Sequence, residues 1–234
     1  MITLVRDPLI AAVIFDLDGV ITNTVYFHYL SWQRLADEEG IVFDRQIHDG
    51  GMLGLNREDA LCYLLGDRQF SSNQQQLLLA RKNNYYLESI DELNREHLLP
   101  GIGNLLGELH AANIKIALGS SSKNAELVLQ RLGIRHFFNF IADGNSVLNL
   151  KPAPDIFLYA AESVGIAPDR CLVVEDAPAG VVAALAANMW VLGVGPADRL
   201  AQAHLVLPTL NNIGWADILA KVSYCRYRLS ESQS

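Results

Sequence analysis

Two carboxylates flank a single apolar residue in Asp16-Leu17-Asp18-Gly19-Val20, directly after a short hydrophobic run. Such a pair repels itself inside a helix or strand, so it belongs at a turn, and Gly19 allows the chain to bend there. Alone it reads equally as an aspartate-rich turn or a helix cap. Three further clusters follow in order. Gly119-Ser120-Ser121-Ser122-Lys123-Asn124 gathers small hydroxyls and exposed amides before a helical stretch, which suits a phosphate, although a serine N-cap accounts for it as well. Lys151-Pro152 places a lysine just outside a helix; by itself it is a solvated charge. Glu175-Asp176, before Ala177-Pro178-Ala179-Gly180, puts two acids side by side, which calls for a cation between them or a capping role for Asp176.

The elements that carry these clusters decide between the readings. The apolar runs Ala11 to Phe15, Ile114 to Leu118, Phe140 to Ala142, Cys171 to Val174 and Trp190 to Val194 read as strands buried on both faces. They alternate with amphipathic stretches at Ile102 to Ala112, Asn124 to Leu132, Pro154 to Val164 and Pro178 to Asn188. That alternation predicts an α/β, doubly wound (Rossmann-like) parallel sheet with right-handed crossovers. In such a sheet the active site sits at the carboxyl ends of the strands, which is where all four clusters fall.

One segment interrupts the alternation. Tyr26 to Glu39, Arg57 to Leu65 and Ser71 to Ile90 have helical patterns without a buried strand among them. They predict an inserted helical cap domain over residues 25–93, with residues 1–24 and 94–234 forming a discontinuous core domain; Pro100-Gly101 marks the return into the core. The tail from Ser223 to Ser234 lacks a packing period and is expected to fray.

Composition narrows the function classes. The chain has 234 residues, half of them hydrophobic, enough to bury a full core. A formal net charge of -8 argues against nucleic acid or an anionic membrane as partner. A small anionic substrate must then be drawn in by a local cationic pocket. Cys62, Cys171 and Cys225 are widely spaced and odd in number, which fits reduced thiols and a cytoplasmic setting. The apolar stretch from Leu9 to Phe15 is too short for a signal or membrane segment.

Acid pair, hydroxyl, lysine and acid pair, in that order on four strand or loop ends, resemble the four motifs of the haloacid dehalogenase superfamily. The resemblance spans Ala11 to about Leu219 and is greatest to its β-phosphoglucomutase family. Matching segments are Phe15 to Thr22, Thr24, His28 and Trp32, Gly54 to Asp59, Arg81-Lys82-Asn83, Ser120 to Asn124, and Lys151 to Phe157. Two positions depart from the family pattern: Asn23 stands where an aspartate is usual, and Leu53 where a lysine is common.

The resemblance implies a magnesium-dependent enzyme working through an aspartyl-phosphate, with Asp16 as nucleophile and metal ligand and Asp18 as general acid and base. Asp18 (through its carbonyl), Glu175 and Asp176 would complete the metal set. Ser120 and Lys151, with Ser121, Lys123 and Asn124, would bind the transferring phosphate. Thr24, His28, Gly54, Arg57 and Lys82 would serve the substrate on the cap side, Arg57 offering a planar fork for a phosphate. The reaction implied is interconversion of a β-hexose 1-phosphate and the 6-phosphate through a sugar 1,6-bisphosphate, by a monomer. A sugar-phosphate phosphatase on the same scaffold shares all four motifs and remains an alternative. A non-catalytic sugar-phosphate sensor is a third reading, against which the complete set of acidic and basic residues counts.

Overall fold

The computed structural model describes residues 9–52, 55 and 57–231. The chain forms two compact units: one from the described residues within Met1–Thr22 and Arg95–Ser234, the other from Asn23–Asn94. Among the described residues no helix is long and apolar enough to cross a membrane.

The first unit is built on a parallel sheet. Its strands are β1 (Ala12–Phe15), β2 (Lys115–Gly119), β3 (Phe140–Ala142), β4 (Cys171–Glu175), β5 (Trp190–Val194) and β6 (Leu205–Leu207). The spatial order is β3-β2-β1-β4-β5-β6, so the direction of winding reverses beside β1. This is the expected doubly wound sheet. β1 is buried along its whole length because helices cover both faces, which is why it reads as an unbroken apolar run and not as an alternation.

Register places the chemistry. Phe15 pairs with Leu118 on β2 and with Val174 on β4. Asp16, just past β1, therefore stands level with Gly119 and Glu175, the last residues of β2 and β4, with Ser120 and Asp176 one step beyond. The expected strands are all present within a residue or two. β6 was not among them; it has three half-exposed residues at the sheet edge, too short and too wet to leave an apolar signature.

In the second unit, α1 (Val25–Glu38), α2 (Arg45–Gly51), α3 (Arg57–Leu65) and α4 (Ser72–Ser89) pack around Trp32, Leu35, Phe43, Leu61, Leu64 and Leu78. α4 starts at a reciprocal capping box, Ser71 with Gln74, so its first turn is fixed by local sequence. α2 was not expected from sequence. Seven residues with two glycines carry too little periodicity, and its start is set by Asp44 accepting from the Ile47 N–H at 2.8 Å.

The core unit adds α5 (Ile102–Ala111), α6 (Ala125–Arg131), α7 (Asp155–Val164), α8 (Pro178–Ala186) and α9 (Trp215–Glu231). α9 corrects the expectation of a frayed tail: the chain is helical through Glu231. Ile218 and Val222 are buried four residues apart and Cys225 is half-buried three further on, a helical stripe hidden among tyrosines and arginines.

Candidate active site

Lys151 is the centre of the arrangement at the strand ends. Its ammonium donates to Asp16 Oδ1 at 2.5 Å and to Glu175 Oε1 at 2.6 Å. It also lies over the Phe157 ring, 4.7 Å from the centroid. Pro152 keeps Lys151 out of α7, so the side chain comes from a loop and can cross back over β1 and β4. Glu175 and Asp16 are buried, to 1% and 8% exposure, and the Lys151 side chain is 9% exposed.

Glu175 is fixed from two sides. Its second oxygen, Oε2, accepts from the Asp176 and Ala177 backbone N–H groups at 2.9 Å each, so the carboxylate closes the start of α8 while its other oxygen holds Lys151. Gly180, in the first turn of α8, presses against this carboxylate: a Cβ there would overlap it. Gly19 does the same for Asp176, and its φ of +83° also calls for glycine. Each acid of the pair thus has a glycine at its back. The sequence reading missed Gly180; its signal was a glycine inside a predicted helix, two residues after a proline at the helix start.

Burial dominates the electrostatics. It pushes the Asp16 carboxyl up to about 8; the Lys151 ammonium pulls it back only in part, and Glu175 and Asp18 add to the rise. Asp176 is pushed up to about 7 by burial, then by Glu175 and Asp18. For Lys151 burial works against the charge, yet Asp16 and Glu175 outweigh it and hold the lysine protonated. Asp16, Glu175 and Asp176 offer carboxylate oxygens that all lie within 4.8 Å of one another. An all-oxygen set, two of whose members, Asp16 and Asp176, burial drives toward protonation, fits a hard divalent cation such as Mg²⁺.

Asp18 lies on a tight loop closed by Gly19 N–H to the Thr22 carbonyl at 2.8 Å and Ile21 N–H to the Leu17 carbonyl at 2.9 Å. It is near enough to Asp16 and Asp176 to raise both. Ser120 is buried to 2% exposure, and its Oγ accepts from the Ser122 N–H at 3.1 Å, which leaves the hydroxyl to act as donor. Ser121 and Lys123 are exposed on the same loop; Asn124 is half-buried and precedes α6.

The remaining sequence candidates belong to the helical unit. The Lys82 ammonium lies 2.8 Å from His28 Nδ1. Burial, then Lys82 and Arg57, hold His28 well below its ordinary range, so the ring is neutral, Nδ1 accepts, and the proton sits on Nε2. His28 stacks on Tyr86 at 4.1 Å, and Lys82 lies 4.9 Å from the Trp32 centroid. Thr24 is fully buried ahead of α1, and Arg57 opens α3. Gly54 and Leu53 lie outside the described residues.

The family model described as haloacid dehalogenase-like hydrolase matches residues 10–188. The chain is 40% identical over 225 residues to a β-phosphoglucomutase of Bacillus subtilis, covering 94% of this chain and 98% of that one. It is 33% identical over 184 residues to a fructose-1-phosphate phosphatase of Escherichia coli, covering 76% and 93%. A crystal structure of a β-phosphoglucomutase from Clostridium difficile superimposes with a TM-score of 0.85 at 41% identity, covering 92% of this chain and 98% of the other. The chain belongs to the haloacid dehalogenase-like hydrolase family and, within it, is similar to β-phosphoglucomutases over nearly its whole length.

Proposed function

We propose that this enzyme transfers a phosphoryl group through an aspartyl-phosphate on Asp16, interconverting a β-hexose 1-phosphate, β-D-glucose 1-phosphate as the first candidate, and the 6-phosphate through a 1,6-bisphosphate. The observation that carries the reading is the convergence of Asp16, Lys151, Glu175 and Asp176 at one sheet edge, with Lys151 bridging two of the acids. Asp16, Glu175, Asp176 and the Asp18 carbonyl are the groups proposed to hold Mg²⁺, which when bound supplies positive charge against the phosphoryl oxygens. Glu175, whose oxygens also accept from Lys151 and two amides, orients the lysine as well.

Asp16 is the attacking carboxylate, and Lys151 and the Ser120 hydroxyl orient the phosphoryl oxygens for in-line displacement. Asp18 gives a proton to the departing sugar oxygen and takes one from the incoming hydroxyl. The bond broken joins phosphorus to the donor oxygen, and the bond formed joins phosphorus to Asp16; the second half-reaction reverses this on the other hydroxyl. His28, Arg57 and Lys82 are proposed to hold the phosphate that is not transferred. Arg57 and Lys82 supply the charge, and the neutral His28 fixes the direction of the Lys82 ammonium.

A second reading, a sugar-phosphate phosphatase, is favoured by Asn23, which stands where the mutases have an aspartate, and by the similarity to a fructose-1-phosphate phosphatase. Here water resolves the aspartyl-phosphate. Phosphorus NMR on β-glucose 1-phosphate with Mg²⁺ and a catalytic amount of the 1,6-bisphosphate separates the two. The mutase reading expects the 6-phosphate to accumulate; rapid free phosphate without it selects the phosphatase. No turnover of any sugar phosphate, with no Mg²⁺-dependent binding of fluoroberyllate, would sink both.

A further inference from the structure

After β3 the chain enters a tight turn, Asp143-Gly144-Asn145-Ser146, that holds itself together. Asp143 Oδ1 accepts from the Asn145 N–H and from the Ser146 hydroxyl, both at 2.9 Å. Asp143 N–H donates to Ser146 Oγ at 3.0 Å, and Asn145 Nδ2 donates to Asp143 Oδ2 at 3.2 Å. A turn closed by its own side chains is a stiff object.

Its remaining donors are aimed at the Ser120 loop. Gly144 N–H donates to the Ser122 carbonyl at 3.1 Å. Asn145 Nδ2 reaches the Lys123 carbonyl at 3.3 Å. Ahead of the turn, the Ala142 carbonyl accepts from the Ser120 N–H at 3.0 Å. Gly144 also rests on the Ser121 carbonyl so closely that a Cβ would overlap it. Gly144 is not among the glycines of positive φ, so what the position demands is the missing side chain and not a special backbone. Four consecutive residues, Ser120 to Lys123, are thus held through their backbones by one neighbouring segment. Their internal bonds, Ser122 N–H to Ser120 Oγ and Asn124 N–H to Ser122 Oγ, cannot alone fix where the loop sits relative to Asp16.

We propose that the Asp143–Ser146 turn is a positioning element for phosphoryl transfer, in which Gly144 and Asn145 clamp the Ser121–Lys123 backbone and so fix the Ser120 hydroxyl against the transferring group. The proposal rests on the reading of Asp16 and Ser120 above. Phosphoryl transfer is catalysed by positioning and charge more than by covalent chemistry, so a loop set back by a fraction of an ångström loses rate without losing the fold. Gly144 and Asn145 touch no substrate; they act through the loop.

The test compares wild type, Gly144→Ala and Asn145→Ala in three measurements: fluoroberyllate affinity with saturating Mg²⁺ by fluorine NMR, kcat and KM, and Tm. Gly144→Ala is expected to lower kcat and fluoroberyllate affinity about 10- to 100-fold. Asn145→Ala, which removes one hydrogen bond, is expected to lower them about threefold to tenfold. Tm should stay within a few degrees of wild type, and Mg²⁺ affinity without fluoroberyllate should not change. A merely structural turn would lower Tm and leave the folded protein's affinity and kcat intact, which overturns the clamp. Should Gly144→Ala not fold, Asn145→Ala decides alone. Wild type that binds fluoroberyllate beside variants that match it removes the clamp and spares the function; wild type that binds none removes the reading of Asp16 and the clamp with it.

Discussion

Lys151 Nζ stands 2.5 Å from Asp16 Oδ1, so the proposed nucleophile is held by the same ammonium proposed to receive the phosphoryl oxygens. The second partner, Glu175 Oε1 at 2.6 Å, would keep Lys151 in place once Asp16 carries the phosphoryl group in the proposed reaction. We predict that Lys151→Met costs about 3–5 kcal/mol of stability at pH 8 without metal, because removing one partner strands buried carboxylates. The sign with pH is fixed. Loss of the lysine raises the folded-state pKa of Asp16 further above the unfolded value, so stability is kept at low pH and lost as pH rises. Urea unfolding at pH 5 and pH 8 checks this; a variant as stable as wild type at pH 8 contradicts it.

Mg²⁺ should stabilise the protein more at high pH than at low. Asp16 and Asp176 are raised from 3.8 to about 8 and about 7. Groups raised in this direction contribute stability that is complete below the unfolded value and lost as pH climbs through the folded one. A cation reverses that loss, but it must first displace the protons. The rise in Tm on adding MgCl₂ is therefore expected to be larger at pH 8 than at pH 6, and calorimetric titration should register proton release near pH 7. Equal Tm shifts at both pH values would count against direct ligation by these carboxylates.

Gly180 gives a test with an unusual sign. In an ordinary helix, Gly→Ala adds about 1 kcal/mol of stability. Here the new methyl meets the Glu175 carboxylate, so Gly180→Ala should destabilise and should lower kcat about tenfold or more by displacing Lys151. Gly19→Ala meets Asp176 and adds about 1–2 kcal/mol of left-handed backbone cost. The expected split is that Gly19→Ala weakens Mg²⁺ binding more, while Gly180→Ala weakens phosphate binding more. Isothermal titration with each ligand reads the two effects separately.

Asp18 was legible as chemistry from one glycine and one spacing, and the four clusters were legible together because a parallel sheet delivers every strand end to one edge. Elements with strong burial, such as β1 and β4, announce themselves as apolar runs. What escaped is what depends on contact between distant segments. The resemblance implies Glu175 as a metal ligand; that Lys151 and two amides also reach its oxygens is visible only in the fold. Gly180 and Gly144 look like ordinary helix and turn glycines until the carboxylate or carbonyl at their backs is known. β6 and α2 are too short to carry a period, and α9 hides its apolar stripe beneath tyrosine and arginine.

For Asp18→Ala we predict a loss of about 10²- to 10⁴-fold in kcat, the range of general acid-base catalysis, with fluoroberyllate still binding at Asp16. Loss of turnover and of fluoroberyllate together would assign Asp18 to building the site, whereas near-normal turnover would take the proton transfer away from it. Steady-state kinetics and fluorine NMR on one preparation distinguish these outcomes.

His28 offers a pH test confined to the helical unit. Its folded-state pKa lies below the ordinary 6.5 through burial, then Lys82 and Arg57, so the neutral ring is the native form. A histidine depressed in this way contributes stability that is present above about pH 6.5 and lost as pH falls toward the folded value, since the unfolded chain takes up the proton first. His28→Gln keeps an acceptor for the Lys82 ammonium, now 2.8 Å from Nδ1, and cannot titrate. The variant should therefore lose less Tm than wild type between pH 7 and pH 5, with little change in Tm at pH 7. His204 is depressed as well, by burial, and remains in both proteins, so the difference between the two pH profiles isolates His28. Parallel profiles would mean that the ring does not sit neutral against Lys82, and the proposed role of His28 in directing that ammonium would fall.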